Sequence, residues 1–243
     1  MEVAQHRKGA TSLLKLQMLV GSVFGFLMVV MVGAAFADDI PTSNPNPVTE
    51  TGSEVELAPA VVVAAGVDSI NTNTIARVSA VSSAGVQNGT IFQLDDGRMA
   101  SVTHALDGAS EVVVERGTSF EVVDTSTLKS SRLHDLTTIP GTLFAESLPV
   151  AESPAEIGQG VALAGIPESG RIEVVTGEII GREDGVAFGV GRPDVYVISA
   201  EVSPGWSGGP VVNSEGEVIA VIVGRELVTG VTLAVPIEHL PDL

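Results

Sequence analysis

Residues 205–210 read Gly205-Trp206-Ser207-Gly208-Gly209-Pro210, and the reading of this hexamer decides the fold. A serine hydroxyl is a poor nucleophile until a base takes its proton and donors hold the oxyanion that follows. The glycines permit a sharp turn that aims the N–H groups of Gly205 and Ser207 at one point. The same residue types also suit an ordinary turn between strands. They satisfy Gly-x-Ser-x-Gly as well, the nucleophile elbow in which serine opens a helix and the acid, then the histidine, follow it. Here Pro210 comes three residues after the serine, and Val211-Val212-Asn213 and Val218–Val223 read as strand, turn, strand. Downstream of Ser207 only His239 and Asp242 remain, in reversed order, so the elbow reading fails. The order His, Asp, Ser is another that assembles a catalytic triad.

Four histidines are present: His6, His104, His134 and His239. His104 ends Arg98-Met99-Ala100-Ser101-Val102-Thr103, which reads as a strand, and a base at a strand end can reach a serine on a neighbouring element. His6 lies in the N-terminal segment. His134 competes, but it adjoins the candidate acid and on a strand would point the other way. That acid is Asp135, at the head of the apolar run Leu136-Thr137-Thr138-Ile139, where burial against a histidine would fix the imidazole tautomer. Asp107 and Asp124 are alternatives, Asp107 reading as the turn residue of Leu106-Asp107-Gly108-Ala109.

At this point the chain resembles the trypsin-like serine proteases, in particular the HtrA/Deg branch. Asn88-Gly89-Thr90-Ile91-Phe92 with Asp95-Asp96-Gly97 resembles the hairpin before that family's catalytic histidine. Ile157–Pro167 and Val175–Ile180 resemble the start of its second barrel, and Leu233-Ala234-Val235-Pro236 its closing strand. The resemblance implies an all-β fold of two antiparallel six-stranded barrels with the catalytic groups between them. It implies His104 as base, Asp135 as orienting acid, Ser207 as nucleophile and the N–H groups of Gly205 and Ser207 as oxyanion hole. Aligned by its distance before Ser207, Glu201 falls near the base of the primary specificity pocket, or else on its rim as a solvated side chain. Two residues depart from the family pattern: Thr103 stands where alanine is usual, and Trp206 where aspartate or asparagine is usual. A tryptophan there has no carboxylate to receive a newly cut N-terminal amine, so loop packing around Trp206 is expected to set the hole.

The high Val and Gly content and short apolar runs broken by Gly, Asp, Asn and Pro independently favour an all-β fold. Strands are expected at 74–81, 90–94, 111–115, 160–164, 173–180, 194–199 and 218–223, with a helical turn near 237–240. Arg7, Lys8 and Lys15 precede an uncharged apolar stretch from Met18 to Ala37 that ends in Ala35-Phe36-Ala37. That pattern fits a cleaved signal peptide over 1–37, and its length equally fits a retained membrane anchor. Residues 38–58, rich in Pro, Ser, Thr and Glu, read as a flexible acidic linker, and 59–243 as the protease domain. Pro59–Ala65 is too short to span a bilayer and is expected to pack on the domain. The chain stops soon after the closing-strand motif, so no C-terminal peptide-binding (PDZ) domain is expected.

The net charge is −18, and losing residues 1–37 with Arg7, Lys8, Lys15 and Glu2 takes it to −20. Such acidity argues against nucleic acid and anionic membrane surfaces as partners. The absence of cysteine rules out a disulfide framework and cysteine-ligated metal. Nothing in the sequence calls for a metal or other cofactor. The expected function is an exported serine endopeptidase acting on protein or peptide substrates through an acyl-enzyme. The alternative is a catalytically impaired peptide-binding or adhesion module on the same fold.

Overall fold

A computed structural model describes residues 66–189 and 191–241. The signal or anchor segment, the linker and Pro59–Ala65 lie outside these residues. Among those described, no helix is long and apolar enough to cross a membrane.

Among the described residues, thirteen strands form two antiparallel assemblies. The first half contains β1 (Ile75–Ser82), β2 (Gly85–Gln93), β3 (Arg98–Val102), β4 (Glu111–Arg116), β5 (Ser119–Val123), β6 (Lys129–Ser131) and β7 (Leu136–Pro140), in the order β5-β4-β1-β2-β3-β7-β6. The second half, β8 (Gly160–Gly165), β9 (Glu173–Glu183), β10 (Val195–Ile198), β11 (Pro210–Val212), β12 (Val218–Arg225) and β13 (Thr232–Pro236), closes into a barrel. The all-β architecture is as expected, with one difference: the first half is a seven-stranded sheet with two end strands, not a closed ring of six. Of those end strands, β5 alternates Phe120 and Val122 with polar residues but buries neither, and β6 has no apolar residue. Every residue of β5 before Val123 is exposed, and Lys129-Ser130-Ser131 is polar throughout. Backbone pairing to β4 and β7 places them, which a hydrophobic pattern cannot signal.

Strands β8, β10, β11, β12 and β13 read as near-continuous apolar runs because both of their faces are buried, whereas β9 is mostly exposed. Val161, Leu163, Ile179, Tyr196, Ile198, Val211, Ile219, Ala220, Ile222 and Ala234 form one cluster with Trp206. Their chain neighbours Ala162, Ala164, Val195, Val197, Val212, Val218, Val221, Val223, Leu233 and Val235 join a second cluster containing Ile75, Ile91, Phe92, Met99 and Leu136 of the first half. The two-residue side-chain period thus sorts one sequence run onto two cores. The second core crosses between the halves and fixes the floor on which the candidate site sits.

Candidate active site

His104 lies in a single helical turn, α1 (Thr103–Leu106), that caps the end of β3. Opposite, the turn before β7 carries Asp135 at φ 61°, the sole non-glycine residue with positive φ among those described. Aspartate tolerates this left-handed conformation better than most residues, and the surroundings hold it there. The N–H of Thr103 donates to the Asp135 carbonyl at 2.9 Å, and the N–H of His104 donates to Asp135 Oδ1 at 2.8 Å. Thr103 Oγ1 donates to the Leu136 carbonyl at 2.9 Å and shares a 3.0 Å hydrogen bond with Thr137 Oγ1. The unusual threonine therefore ties the histidine turn to β7, where alanine has no hydrogen-bonding atom to offer.

This frame brings His104 Nδ1 to 2.5 Å from Asp135 Oδ2. A second cation, the Arg192 guanidinium from the β9–β10 connection, reaches the same oxygen at 2.7 Å. The carboxylate side chain is only 3 % exposed. Burial pushes its pKa up, but hydrogen bonds and charge from His104 and Arg192 outweigh that and hold it below its usual range. Asp135 is thus an ionised acceptor that keeps the Nδ1 proton on the imidazole and leaves Nε2 as the basic nitrogen.

Ser207 is presented by a loop stitched to the first half through Thr90 of β2. The Thr90 N–H donates to the Ser207 carbonyl at 2.8 Å, and Thr90 Oγ1 donates to the Gly205 carbonyl at 2.8 Å. The same hydroxyl accepts from the Ile166 N–H at 3.0 Å, while Ser101 Oγ donates to the Thr90 carbonyl at 2.8 Å. Within the loop, the N–H groups of Trp206, Gly208 and Gly209 donate to the carbonyls of Ser203, Ile222 and Trp206. Those of Gly205 and Ser207 donate to no group among the described residues. Gly205, at φ +96°, has no room for bulk: a Cβ there would lie 2.6 Å from the Ile166 carbonyl oxygen.

The loop and α1 are close neighbours. A Cβ on Gly89 would meet both the Ser207 carbonyl oxygen at 3.0 Å and Ala105 Cβ at 3.2 Å. Ser207 Oγ donates to the Val223 carbonyl over a long 3.5 Å and makes no hydrogen bond to His104 in this state. Trp206 is almost fully buried inside the barrel, stacked where a Cβ on Gly165 would come within 2.5 Å of the indole. Its Nε1 has no partner among the described residues.

The remaining candidates sort clearly. Asp107 is exposed and pairs with Arg132 at 2.8 Å, and Asp124 caps the turn Thr125–Thr127 through the Ser126 N–H. His134 turns away from the site and stacks on His239, centroids 4.0 Å apart. His239 Nε2 lies 2.8 Å from Asp194 Oδ2, and Arg182 binds both Asp194 oxygens and Glu238. Asp194, Glu238 and His239 converge closely enough to hold a cation, but the Arg182 guanidinium already bridges the two carboxylates. Of the two readings open for Glu201, pocket base or solvated rim, its exposure agrees with the second. Its side chain is 75 % exposed and bonded to Arg225 at 2.7 Å, a solvated rim position. Sequence reasoning missed Arg192 and the Thr90 hydroxyl. Thr90 lay inside a recognised stretch, whereas Arg192 sits in a Gly191-Arg192-Pro193 turn with no local sign of its target.

Residues 87–221 match the family model described as the trypsin-like peptidase domain. HhoA of Synechocystis sp. is 30 % identical over 267 residues, 88 % of this chain and 66 % of HhoA. The serine protease Rv3671c of Mycobacterium tuberculosis is 29 % identical over 154 residues, 58 % of this chain and 37 % of Rv3671c. The chain therefore spans about two thirds of HhoA and little over a third of Rv3671c. Among solved structures, the active form of the Rv3671c protease aligns with a TM-score of 0.62 at 20 % identity, over 86 % of this chain and 90 % of that one. The HtrA-type protease AlgW with a tripeptide aligns at 0.61 and 20 % identity, over 71 % of this chain and 59 % of that one. These superpositions establish the same fold.

Two expectations follow from the site's frame. Thr90→Val keeps the side-chain shape but leaves the Gly205 carbonyl and the Ile166 N–H without a partner. A loss of about 1–3 kcal/mol in urea unfolding is expected, and an unchanged midpoint would mean that water replaces the hydroxyl. The Asp194 carboxyl is held at about 2, chiefly by hydrogen bonding to Arg182, against burial and with help from His239. Because that folded value lies below the ordinary 3.8, its stabilisation is complete above 3.8 and lost as pH falls through about 2. In Asp194→Asn, melting temperature should decline less than in wild type across this acidic window. Parallel curves for the two proteins would remove Asp194 from the acid response.

Proposed function

This chain belongs to the trypsin-like peptidase domain family, a family of serine-type hydrolases, and on that premise we propose that it is an exported serine endopeptidase. The observation that carries the proposal is the buried Asp135 carboxylate at 2.5 Å from His104 Nδ1, in a turn packed beside the Ser207 loop. In this reading Ser207 leaves its weak contact with the Val223 carbonyl and gives its proton to His104 Nε2 as Oγ attacks a peptide carbonyl. The unbonded N–H groups of Gly205 and Ser207 receive the oxyanion, and removing one such donor typically costs about 3–4 kcal/mol of transition-state stabilisation. Asp135 stabilises the imidazolium without taking its proton. His104 then protonates the leaving amine, and water, deprotonated by the same histidine, releases the acyl group from Ser207.

Protein or peptide chains are the substrates. Glu201 does not act in this reading as a selector of basic side chains, because Arg225 neutralises it in solvent. Export rests on the N-terminal pattern, with 1–37 as a signal peptide ending at Ala37 or as an anchor.

Ser207→Ala and His104→Ala are expected to abolish labelling by a fluorophosphonate probe and casein cleavage, with circular dichroism unchanged. Asp135→Asn should fold and lose about four orders of magnitude in turnover. A folded wild-type protein that takes up no probe would favour the peptide-binding module, a reading to which the absent Ser207–His104 hydrogen bond lends its weight. Intact-mass measurement of natively exported material is expected to give a chain beginning at Asp38. A full-length mass in a carbonate-resistant membrane fraction would make the segment an anchor.

A further inference from the structure

We propose that Arg192 is a positioning residue of the catalytic set, its guanidinium holding Asp135 in the orientation from which that carboxylate aligns His104. The proposal rests on the peptidase reading above and deepens it, by naming a group outside the triad on which the triad's assembly depends.

The Asp135 carboxylate has three partners among the described residues. Oδ1 takes the His104 N–H, and Oδ2 takes both His104 Nδ1 and Arg192. Two of these donors come from α1, in the first half; the third comes from the β9–β10 connection of the second. Arg192 is itself mostly buried, and its Nε has no partner among the described residues. Withdrawing a guanidinium from water is costly unless a close counter-charge compensates it, and Asp135 is the carboxylate it reaches. Arg192 forms no hydrogen bond or ion pair with Ser207.

The backbone that carries Arg192 is held on both sides. Gly189 and Gly191 take left-handed conformations, at φ 74° and 62°, which set the path of the turn, and Pro193 fixes φ at the next residue. Asp194 is then gripped by Arg182 at 2.8 and 2.6 Å and by His239 at 2.8 Å. His239 in turn stacks on His134, the residue before Asp135. The connection thus grips Asp135 directly through the Arg192 ion pair, and braces the preceding residue indirectly, through Asp194 and the His239 ring that stacks on His134. Without the guanidinium, a buried carboxylate keeps a single cation-capable partner and loses the restraint that fixes its plane. The imidazole it orients then strays from the serine, which lowers the rate of the chemical step and leaves substrate binding as it was.

The test is the steady-state kinetics of R192M, R192Q and R192K with quenched fluorescent casein, alongside the rate of fluorophosphonate labelling of Ser207. R192M and R192Q should lose about 10- to 100-fold in kcat with little change in KM, the cost expected when a catalytic group is displaced by about 1 Å. R192K, which keeps the charge, should retain most of the wild-type kcat. In R192A, whose truncated side chain leaves room for the ion, millimolar guanidinium chloride, well below denaturing concentrations, should restore turnover while an equal concentration of sodium chloride does not. Wild-type kcat in both R192M and R192Q would overturn the proposal and leave the peptidase reading standing. So would a loss that guanidinium does not relieve and that R192K shares. A wild-type protein that neither labels nor cleaves would overturn the peptidase reading, and the role of Arg192 with it. If R192M is poorly soluble, R192Q and R192K decide the matter alone.

Discussion

The geometry of the site depends on a single buried threonine. Thr90 stands on a strand of the first half, yet three of its hydrogen bonds go to the second: to the carbonyls of Gly205 and Ser207 and to the N–H of Ile166. Each of these backbone groups lies at an interface from which water is largely excluded, so each needs a protein partner. By occupying the carbonyls on either side of Trp206, Thr90 fixes the peptide planes of the serine loop. The amides of Trp206 and Gly209 are used within the loop and that of Gly208 by Ile222 of β12, and the N–H groups of Gly205 and Ser207 are the ones left over among the described residues. A pair of free donors is here a by-product of satisfying everything around it.

Packing supports that arrangement from beneath. All the barrel strands but β9 are buried on both faces, so the Ser207 loop has a dry floor inside the barrel and a second apolar layer against the first half. Trp206 fills the interior and is accommodated only because Gly165 has no side chain. Gly209 is similarly constrained, since a Cβ there would lie 2.1 Å from the Ala164 carbonyl oxygen. The loop is thus wedged between β8 and β2, and its conformation follows from close approach more than from turn propensity.

Electrostatics shapes the flank of the site. In a chain with 30 acidic and 12 basic residues, most carboxylates stay in solvent, and the cations that are present acquire disproportionate structural weight. Arg182 gathers Asp194 and Glu238, and Arg192 reaches the buried Asp135. Burial, and then the neighbouring His239 on which it stacks, lower the pKa of His134. These contacts dock the β9–β10 connection onto the turn that bears Asp135, on the far side of His104 from the Ser207 loop.

Much of this was legible in the residues themselves. The Gly-x-Ser-Gly-Gly-Pro run, the strand ending at His104 and the apolar run after Asp135 carry local signatures, because turns and half-buried strands demand particular residue types at particular spacings. The family resemblance ordered them. The two end strands β5 and β6 were not legible, since backbone pairing holds them: Phe120 and Val122 of β5 alternate with polar residues but stay exposed, and β6 has no apolar residue. Nor was the surroundings' claim on single side chains. Whether Glu201 is buried or solvated, whether Trp206 points into the barrel, and that Thr103, Thr90 and Arg192 hold the acid and the loop are all consequences of which distant segments come to lie side by side. Local chemistry determines what a residue can do. Only the tertiary structure decides its partner, because a hydrogen bond or ion pair between segments far apart in sequence is selected by burial and close approach, and neither is written in the chain around it.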